Sequence, residues 1–217
     1  MSNARLPRLY IVTDRAATGN RPLVEVVAQA LGGIAGSGLA PQDVAVQLRE
    51  KDLEGRALLE LARPLRELTA AAGVGLYVND RVDVALAVGA DGVHLAGTSL
   101  SPGEARAIAP GLIIGVSAHR IADVRAAAGQ ASFAVFGPIR DTPSKRSYGP
   151  PLGIQPLVEA SRLELPLLAI GGIDADSVAA VVAAGAHGVA CIRPIMQAAD
   201  PAETVRKLAA ALASSAP

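Results

Sequence analysis

The residues best suited to chemistry lie just after short apolar runs. They are Gln47-Leu-Arg49-Glu50-Lys51, Asn79-Asp80-Arg81, Ser117-Ala-His119, the stretch Gly137-Pro138-Ile-Arg140-Asp-Thr142-Pro-Ser144-Lys145-Arg146, Gly171-Gly172 and Arg193. Arg49, Lys51, Arg81, Arg140, Lys145, Arg146 and Arg193 outnumber Glu50, Asp80 and Asp141 in these segments. Concentrated positive potential favours an anionic ligand, and a planar guanidinium beside an ammonium suits phosphate oxygens. Gly171-Gly172 lets backbone N–H groups come close to a phosphate, and Thr142 and Ser144 add hydroxyl donors. His119, with an ordinary pKa of about 6.5, is suited to moving a proton. Asp80 suits either of two tasks, holding a metal or capping the helix after it.

Other residues have plainer readings. Arg81 and Arg146, taken singly, read as solvated surface cations. His94 sits within an apolar run and reads as a hydrogen-bonded core residue, while His187 falls at the opposite end of its run from the chemistry. Cys191 reads as a small buried hydrophobe, and Pro138 and Pro194 as residues that shape turns.

These segments must be gathered by the elements that precede them. Apolar runs bounded by Gly, Pro or Asp occur at Leu9–Thr13, Asp43–Arg49, Gly75–Asn79, Gly92–Leu95, Ile113–Ser117, Phe133–Gly137, Leu167–Gly171 and Gly188–Ile192. They are continuous in hydrophobicity rather than alternating, as expected of parallel strands covered on both faces. Between two of them, Glu54–Ala72 carries Leu58, Leu61, Leu65 and Leu68 at helical spacing, which predicts an amphipathic helix. Gly73, Gly89, Gly129 and Gly185 each precede a strand where a left-handed helix-ending residue is wanted. Eight βα units in 217 residues predict a single-domain α/β fold, a (β/α)8 TIM barrel spanning residues 1–217. An open doubly wound sheet is disfavoured, because Thr13-Asp14-Arg15 and not Gly-x-Gly-x-x-Gly follows the first run. In a barrel the chemistry lies at the C-terminal ends of the strands, which is where the polar segments fall.

Composition narrows the function classes. Twenty Lys plus Arg balance twenty Asp plus Glu, which argues against a protein that coats nucleic acid, so any anion site must be local. Aromatic residues are only 2% with no Trp, so base-stacking platforms are not expected. At 51% hydrophobic and 18% charged the chain is expected to fold. No run is long enough for a membrane span and no signal-peptide core follows Met1, so a cytoplasmic protein without a membrane partner is expected. The single cysteine excludes an internal disulfide framework and a cysteine-built zinc site. A homodimer is the common default for soluble oligomers.

Taken together, Leu9-Tyr-Ile-Val-Thr-Asp14, Val46-Gln-Leu-Arg-Glu-Lys51, Val78-Asn-Asp-Arg81, Gly89-Ala-Asp-Gly-Val-His-Leu95, Ile114-Gly-Val-Ser-Ala-His119, Gly137-Pro with Thr142-Pro-Ser-Lys145, and Ala169-Ile-Gly-Gly-Ile173 resemble the thiamine phosphate synthase and thiazole tautomerase superfamily, in order and over nearly the whole chain. The synthase branch couples hydroxymethylpyrimidine diphosphate to a thiazole phosphate and releases diphosphate, through a step in which the pyrimidine methylene becomes a cation. The resemblance implies that Gln47, Arg49, Lys51, Asn79 and Lys145 hold the diphosphate, that Asp80 ligates Mg²⁺ and that Ser117 contacts the pyrimidine. It implies that Thr142, Ser144 and the Gly171-Gly172 backbone hold the thiazole phosphate.

Two positions depart from the synthase pattern. Ser99 stands where the synthase carries a second Mg²⁺-binding carboxylate, and Arg193-Pro194-Ile195 replaces Ser-Ala-Ile, placing Arg193 where it would either strengthen a phosphate grip or crowd it. The segment Leu95–Pro102 looks more like the tautomerase branch, which isomerises a thiazole carboxylate phosphate without metal and in which His119 would move the proton. Retention of Gln47, Arg49, Lys51, Asn79 and Asp80 favours the synthase, since the tautomerase handles no diphosphate. A third reading is a non-catalytic barrel that binds thiazole or thiamine phosphates. In all three the partners are small phosphorylated molecules.

Overall fold

A computed structural model of the chain describes residues 5–142 and 150–215. Parallel strands β1 (Leu9–Val12), β2 (Val44–Leu48), β3 (Gly75–Asn79), β4 (Gly92–Leu95), β5 (Ile113–Ala118), β6 (Phe133–Phe136), β7 (Leu167–Ile170) and β8 (Gly188–Cys191) pair in chain order and close on themselves. The closure is made by β1, where Ile11 faces Val46 of β2 on one side and Cys191 of β8 on the other. This is the predicted (β/α)8 barrel. Each strand lies within a residue or two of its predicted run, because a strand buried on both faces must be apolar throughout and so marks its own ends.

The helices that wrap the barrel follow from the same sequence signals. Helices α1 (Leu23–Gly32), α2 (Gly55–Ala72) and α3 (Val82–Ala87) follow β1 to β3, and α4 (Pro102–Ile108), α5 (Ile121–Ala127) and α6 (Ile154–Ala160) follow β4 to β6. Helix α7 (Ala175–Ala183) follows β7, and β8 leads to the short α8 (Arg193–Met196) and then α9 (Pro201–Ser214). In α2 the predicted stripe is offset slightly. Leu58 and Leu65 are buried with Ala62 and Thr69, whereas Leu61 and Leu68 are only partly covered. Gly73, Gly89, Gly129 and Gly185 all adopt positive φ, as the helix-to-strand turns require.

Two hydrophobic regions result. One is the shell between strands and helices; the other is the barrel lumen, built on Tyr10, Val12, Ala45, Tyr77, Phe133, Val135, Leu168 and Ala190. Three of the chain's few aromatics, Tyr10, Tyr77 and Phe133, meet edge to face in the lumen with ring centroids 5.4 to 5.8 Å apart. Glycines make the room for them. A Cβ on Gly92 would stand 2.3 Å from the Tyr77 ring, and one on Gly115 2.5 Å from Phe133. This aromatic plug fills the lumen and sets the floor of what lies above it.

Candidate active site

Above the plug, at the C-terminal ends of the strands, the lumen opens into a cavity of about 350 Å³. That volume suits a small organic ligand. Apolar side chains of Val12, Val135, Ile170, Ala190 and Ile192 form its lower wall. His94 joins them. Its side chain is 2% exposed, and burial pushes its pKa down to about 4, with Asp80 opposing and Arg49 reinforcing that shift. The imidazole is therefore neutral near pH 7, and Nε2 lies 3.0 Å from the Ser117 hydroxyl, which also borders the cavity. The plain core reading of His94 is thus half right: it is buried and hydrogen-bonded, but it also lines the site.

The β2–β3 wall carries a polar chain. Gln47 at the end of β2, with Arg49 and Lys51 just beyond it, borders the cavity, while Leu48 and Glu50 are buried away from it. Gln47 Nε2 donates to Asn79 Oδ1 at 2.9 Å, and Asn79 Nδ2 donates to Asp80 Oδ2 at 2.7 Å. Asp80 Oδ1 accepts from the Ala96 N–H at 3.0 Å and from the Ser99 hydroxyl. Among the described residues no hydrogen bond or ion pair engages the side-chain nitrogens of Arg49 or Lys51. Two cations that have no partner among the described residues at a cavity wall are placed to meet an anionic ligand.

The β7–β8 wall is built from backbone. Gly171 and Gly172 adopt φ of 98° and 64°, conformations that a side chain would strain. A Cβ at Gly171 would also stand 2.6 Å from Pro138 Cβ, and one at Gly172 2.6 Å from Arg140 Cβ. Immediately after them Asp174 caps α7 through a reciprocal pair of bonds with Ser177, at 2.9 Å each, which holds the turn against its helix. Arg193, at the start of α8, and Thr142 complete this wall. Cys191 also borders the cavity, but burial pushes its thiol up to about 12, so it is no thiolate near neutral pH.

His119 lies between the two walls. Its Nδ1 is 2.6 Å from the carbonyl oxygen of Gly137. A carbonyl only accepts, so Nδ1 carries a proton and donates it there, which leaves Nε2 as the nitrogen directed away from that bond.

Most of the predicted set converges on this one cavity: Gln47, Arg49, Lys51, Asn79, Ser117, His119, Thr142, Gly171, Gly172 and Arg193 all border it. Ser144, Lys145 and Arg146 lie outside the described residues. Asp80 stands behind Asn79 and not on the cavity wall, and its carboxylate does not cap α3, whose first turn starts after Arg81 without a side-chain cap. The predicted cationic rim is smaller than its sequence count. Arg81 is bound to Asp83 through Nε at 2.8 Å, and exposed Arg140 is not part of the cavity. Glu50 is no mouth carboxylate either, being 6% exposed and turned beneath the β1 exit. Asp14 and Pro138 line the cavity although the sequence reading gave them no role there; position directly after a strand end was the available signal.

Among the described residues no three His, Cys, Asp or Glu side chains gather as a metal cage. Mg²⁺ needs less than that, since it is commonly held by one or two carboxylates plus phosphate oxygens and water. Asp80 has four lone-pair sites and receives three donors, so one site on Oδ2 remains for a cation. A Mg²⁺ here would be held mainly by a phosphorylated ligand; Asp80 is the anchor the family resemblance implies, set back behind Asn79, whereas Asp14 is the carboxylate on the cavity wall.

The family model for thiamine monophosphate synthase matches residues 9–195. The chain is 45% identical over 204 residues to a thiamine-phosphate synthase of Roseiflexus castenholzii, covering 92% of this chain and 86% of that protein. It is 45% identical over 203 residues to one of Methanoculleus marisnigri, covering 92% of each. The solved thiamine phosphate pyrophosphorylase of Pyrococcus furiosus superposes with a TM-score of 0.84 at 33% identity, covering 96% of both chains. With a matching barrel, a cationic cavity at its C-terminal mouth and likeness along nearly its whole length, the chain belongs to the thiamine monophosphate synthase family.

Proposed function

We propose that this protein is the enzyme its relatives' names describe: it joins hydroxymethylpyrimidine diphosphate to a thiazole phosphate, giving thiamine phosphate and diphosphate. The observation that carries this reading is a single cavity with two separate walls suited to anions, Arg49 and Lys51 just after β2 and the Gly171-Gly172 turn with Arg193 after β7 and β8. A reaction between two phosphorylated molecules needs two phosphate-binding places, whereas a thiazole carboxylate phosphate carries only one phosphate.

In this scheme Gln47, Arg49, Lys51 and Asn79 hold the diphosphate. The bond between the pyrimidine methylene carbon and the diphosphate oxygen breaks with both electrons leaving on oxygen. Fixed cations at that oxygen lower the barrier, since charge developing in a water-poor site is stabilised without reorganisation. Asp80 would hold Mg²⁺ against the diphosphate, and that ion would neutralise further charge on the leaving group. Ser117, oriented by His94, contacts the pyrimidine. Thr142 and the Gly171-Gly172 N–H groups grip the thiazole phosphate, so its ring nitrogen is held for attack on the methylene carbon. Lys145 and Ser144 take the roles that the family resemblance gives them, at the diphosphate and the thiazole phosphate respectively. The substrates are small and phosphorylated, and we place the reaction in the cytoplasm.

Incubation with both substrates and Mg²⁺ tests the proposal. Thiamine phosphate and diphosphate are expected in equal amounts, and no product at any Mg²⁺ concentration overturns it. A second reading has one observation in its favour: His119 borders the cavity with Nδ1 engaged by the Gly137 carbonyl, which leaves Nε2 available to move a proton, as in a thiazole tautomerase. Isomerisation of thiazole carboxylate phosphate without metal, lost in His119→Ala, would support it. Tight phosphate-ligand binding with no turnover in either assay would support the non-catalytic barrel.

A further inference from the structure

The least explained feature near the cavity is a buried carboxylate that does not face it. Glu50 lies between Arg49 and Lys51 in sequence, yet its side chain is turned beneath the exit of β1. There it receives two donors: the Thr13 hydroxyl at 2.6 Å on Oε1, and the Arg15 N–H, shared between its two oxygens at 3.2 and 3.1 Å. The Arg15 side chain, itself paired with Asp52, approaches to 3.6 Å. Thr13, fully buried, passes the contact on, because its hydroxyl oxygen accepts from the backbone N–H of Arg49 at 2.9 Å. Glu50, Thr13 and the Arg49 backbone thus form one hydrogen-bonded path, in which the single hydroxyl proton points to Glu50 and the free lone pair to Arg49.

Burial makes this arrangement costly. Removing a carboxylate from water raises its pKa, and that of Glu50 is raised chiefly by burial, with the Thr13 hydroxyl, the Arg15 N–H and the Arg15 charge opposing the shift and Asp14 adding to it. A purely structural link between two strand ends needs no charge. Regular β1–β2 pairing already runs through Ile11 with Val46 and Val12 with Gln47, and the Thr13 N–H bonds the Gln47 carbonyl at 2.9 Å. What lies beyond that pairing is the Arg49-Glu50-Lys51 segment, which has left the strand and carries both cavity cations.

We infer that Glu50 and Thr13 are positioning residues: acting through the Arg49 backbone, they fix the angle at which Arg49 and Lys51 present their cations to the diphosphate. The inference rests on the functional reading above. Displacing a fixed donor by even about 1 Å weakens a preorganised anion site strongly while leaving remote subsites intact.

Calorimetric titration with inorganic diphosphate in the presence of Mg²⁺, together with steady-state kinetics, tests it on the full chain. Thr13→Val keeps the shape and removes the hydroxyl; Thr13→Ser restores it; Glu50→Gln keeps the shape and removes the charge. Thr13→Val and Glu50→Gln are expected to weaken diphosphate binding and raise KM for the pyrimidine diphosphate by about tenfold. KM for the thiazole phosphate is expected to stay unchanged, and Thr13→Ser is expected to bind diphosphate as the wild type does. Should Thr13→Val fail to fold, Glu50→Gln carries the test. A merely structural link would lower Tm and the active fraction while leaving both KM values alone, and that result overturns the inference. So does an equal rise in both. Arg49→Ala serves as the contact control. If the wild type itself does not bind diphosphate, the functional reading falls first and this inference with it, which separates the two failures.

Discussion

The lumen of this barrel is two rooms built by the same strands. In the lower one, Tyr10, Tyr77 and Phe133 interlock, and glycines at 92 and 115 give up their side chains so that the rings fit. In the upper one, two residues beyond Tyr77, Gly115 and the lumen residue Ala45, the inward positions carry Asn79, Ser117 and Gln47. The lower room is filled by side chains, whereas the upper one is a cavity lined by them. Only two residues of rise, roughly 7 Å, separate packing from chemistry. The lesson is that the plug is a functional element: it sets the depth of the cavity and gives the polar side chains a rigid base. Substitutions should therefore separate cleanly, with mouth changes altering substrate kinetics and floor changes altering stability.

The largest expected effect is at the mouth. Arg49→Ala should lower kcat/KM for the pyrimidine diphosphate by a factor on the order of 10² to 10³ with Tm nearly unchanged, as steady-state kinetics and thermal melts would show. A fall in Tm matched by a small kinetic loss would blur the division proposed here.

Next comes the residue that touches both rooms. His94 has a folded-state pKa of about 4 against an ordinary 6.5, so its contribution to stability is complete above about pH 6.5 and is lost as the pH falls toward 4. That loss corresponds to about 3 kcal/mol. Asp83, Asp123 and Asp174 also have lowered pKa values, so the wild type loses stability in acid for those reasons too. Denaturant unfolding of the wild type and of His94→Asn at neutral and acid pH isolates the histidine. Parallel curves for the two proteins would show that His94 is not the group being charged.

Within the floor, Gly115→Ala places a methyl 2.5 Å from Phe133 and 2.9 Å from His94 Nδ1. It should cost roughly 1 to 3 kcal/mol, read as a lower denaturation midpoint. KM for either substrate should move little. If KM rises as much as stability falls, the floor and mouth are one mechanical unit. The smallest effect is expected for Tyr10→Phe, because the Tyr10 hydroxyl is buried without a hydrogen-bond partner among the described residues. Removing it should leave stability equal or raise it by up to about 1 kcal/mol. A clear loss would reveal a partner for that hydroxyl, such as a buried water.

Much of this was legible in the residues. Strands such as Leu9–Val12 announced themselves because burial on both faces allows no polar member, and helix ends because a left-handed residue before a strand is nearly always glycine. The cationic set at the strand ends was legible too, since a barrel brings every strand's C-terminal end to one rim. What could not be read was direction. Glu50 and Arg49 are neighbours of similar polarity, yet one is buried under β1 and the other faces the cavity. Arg140 looked like Arg49 in sequence and proved to be an exposed residue outside the site, and His94 looked like core and proved to be core and wall together.

The amino-acid sequence by itself determined which segments become strands, that eight of them close into a barrel, and which end of it carries charge. These follow from local periodicity and from a topology that leaves few alternatives. The tertiary structure alone decided that the aromatics pool into a floor, that Ser99 turns its hydroxyl onto Asp80, and that Thr13 ties Glu50 to the backbone of Arg49. Each of these contacts joins residues from different strands or loops, and their geometry depends on strand register and side-chain rotamer. Spacing along one chain carries no record of either.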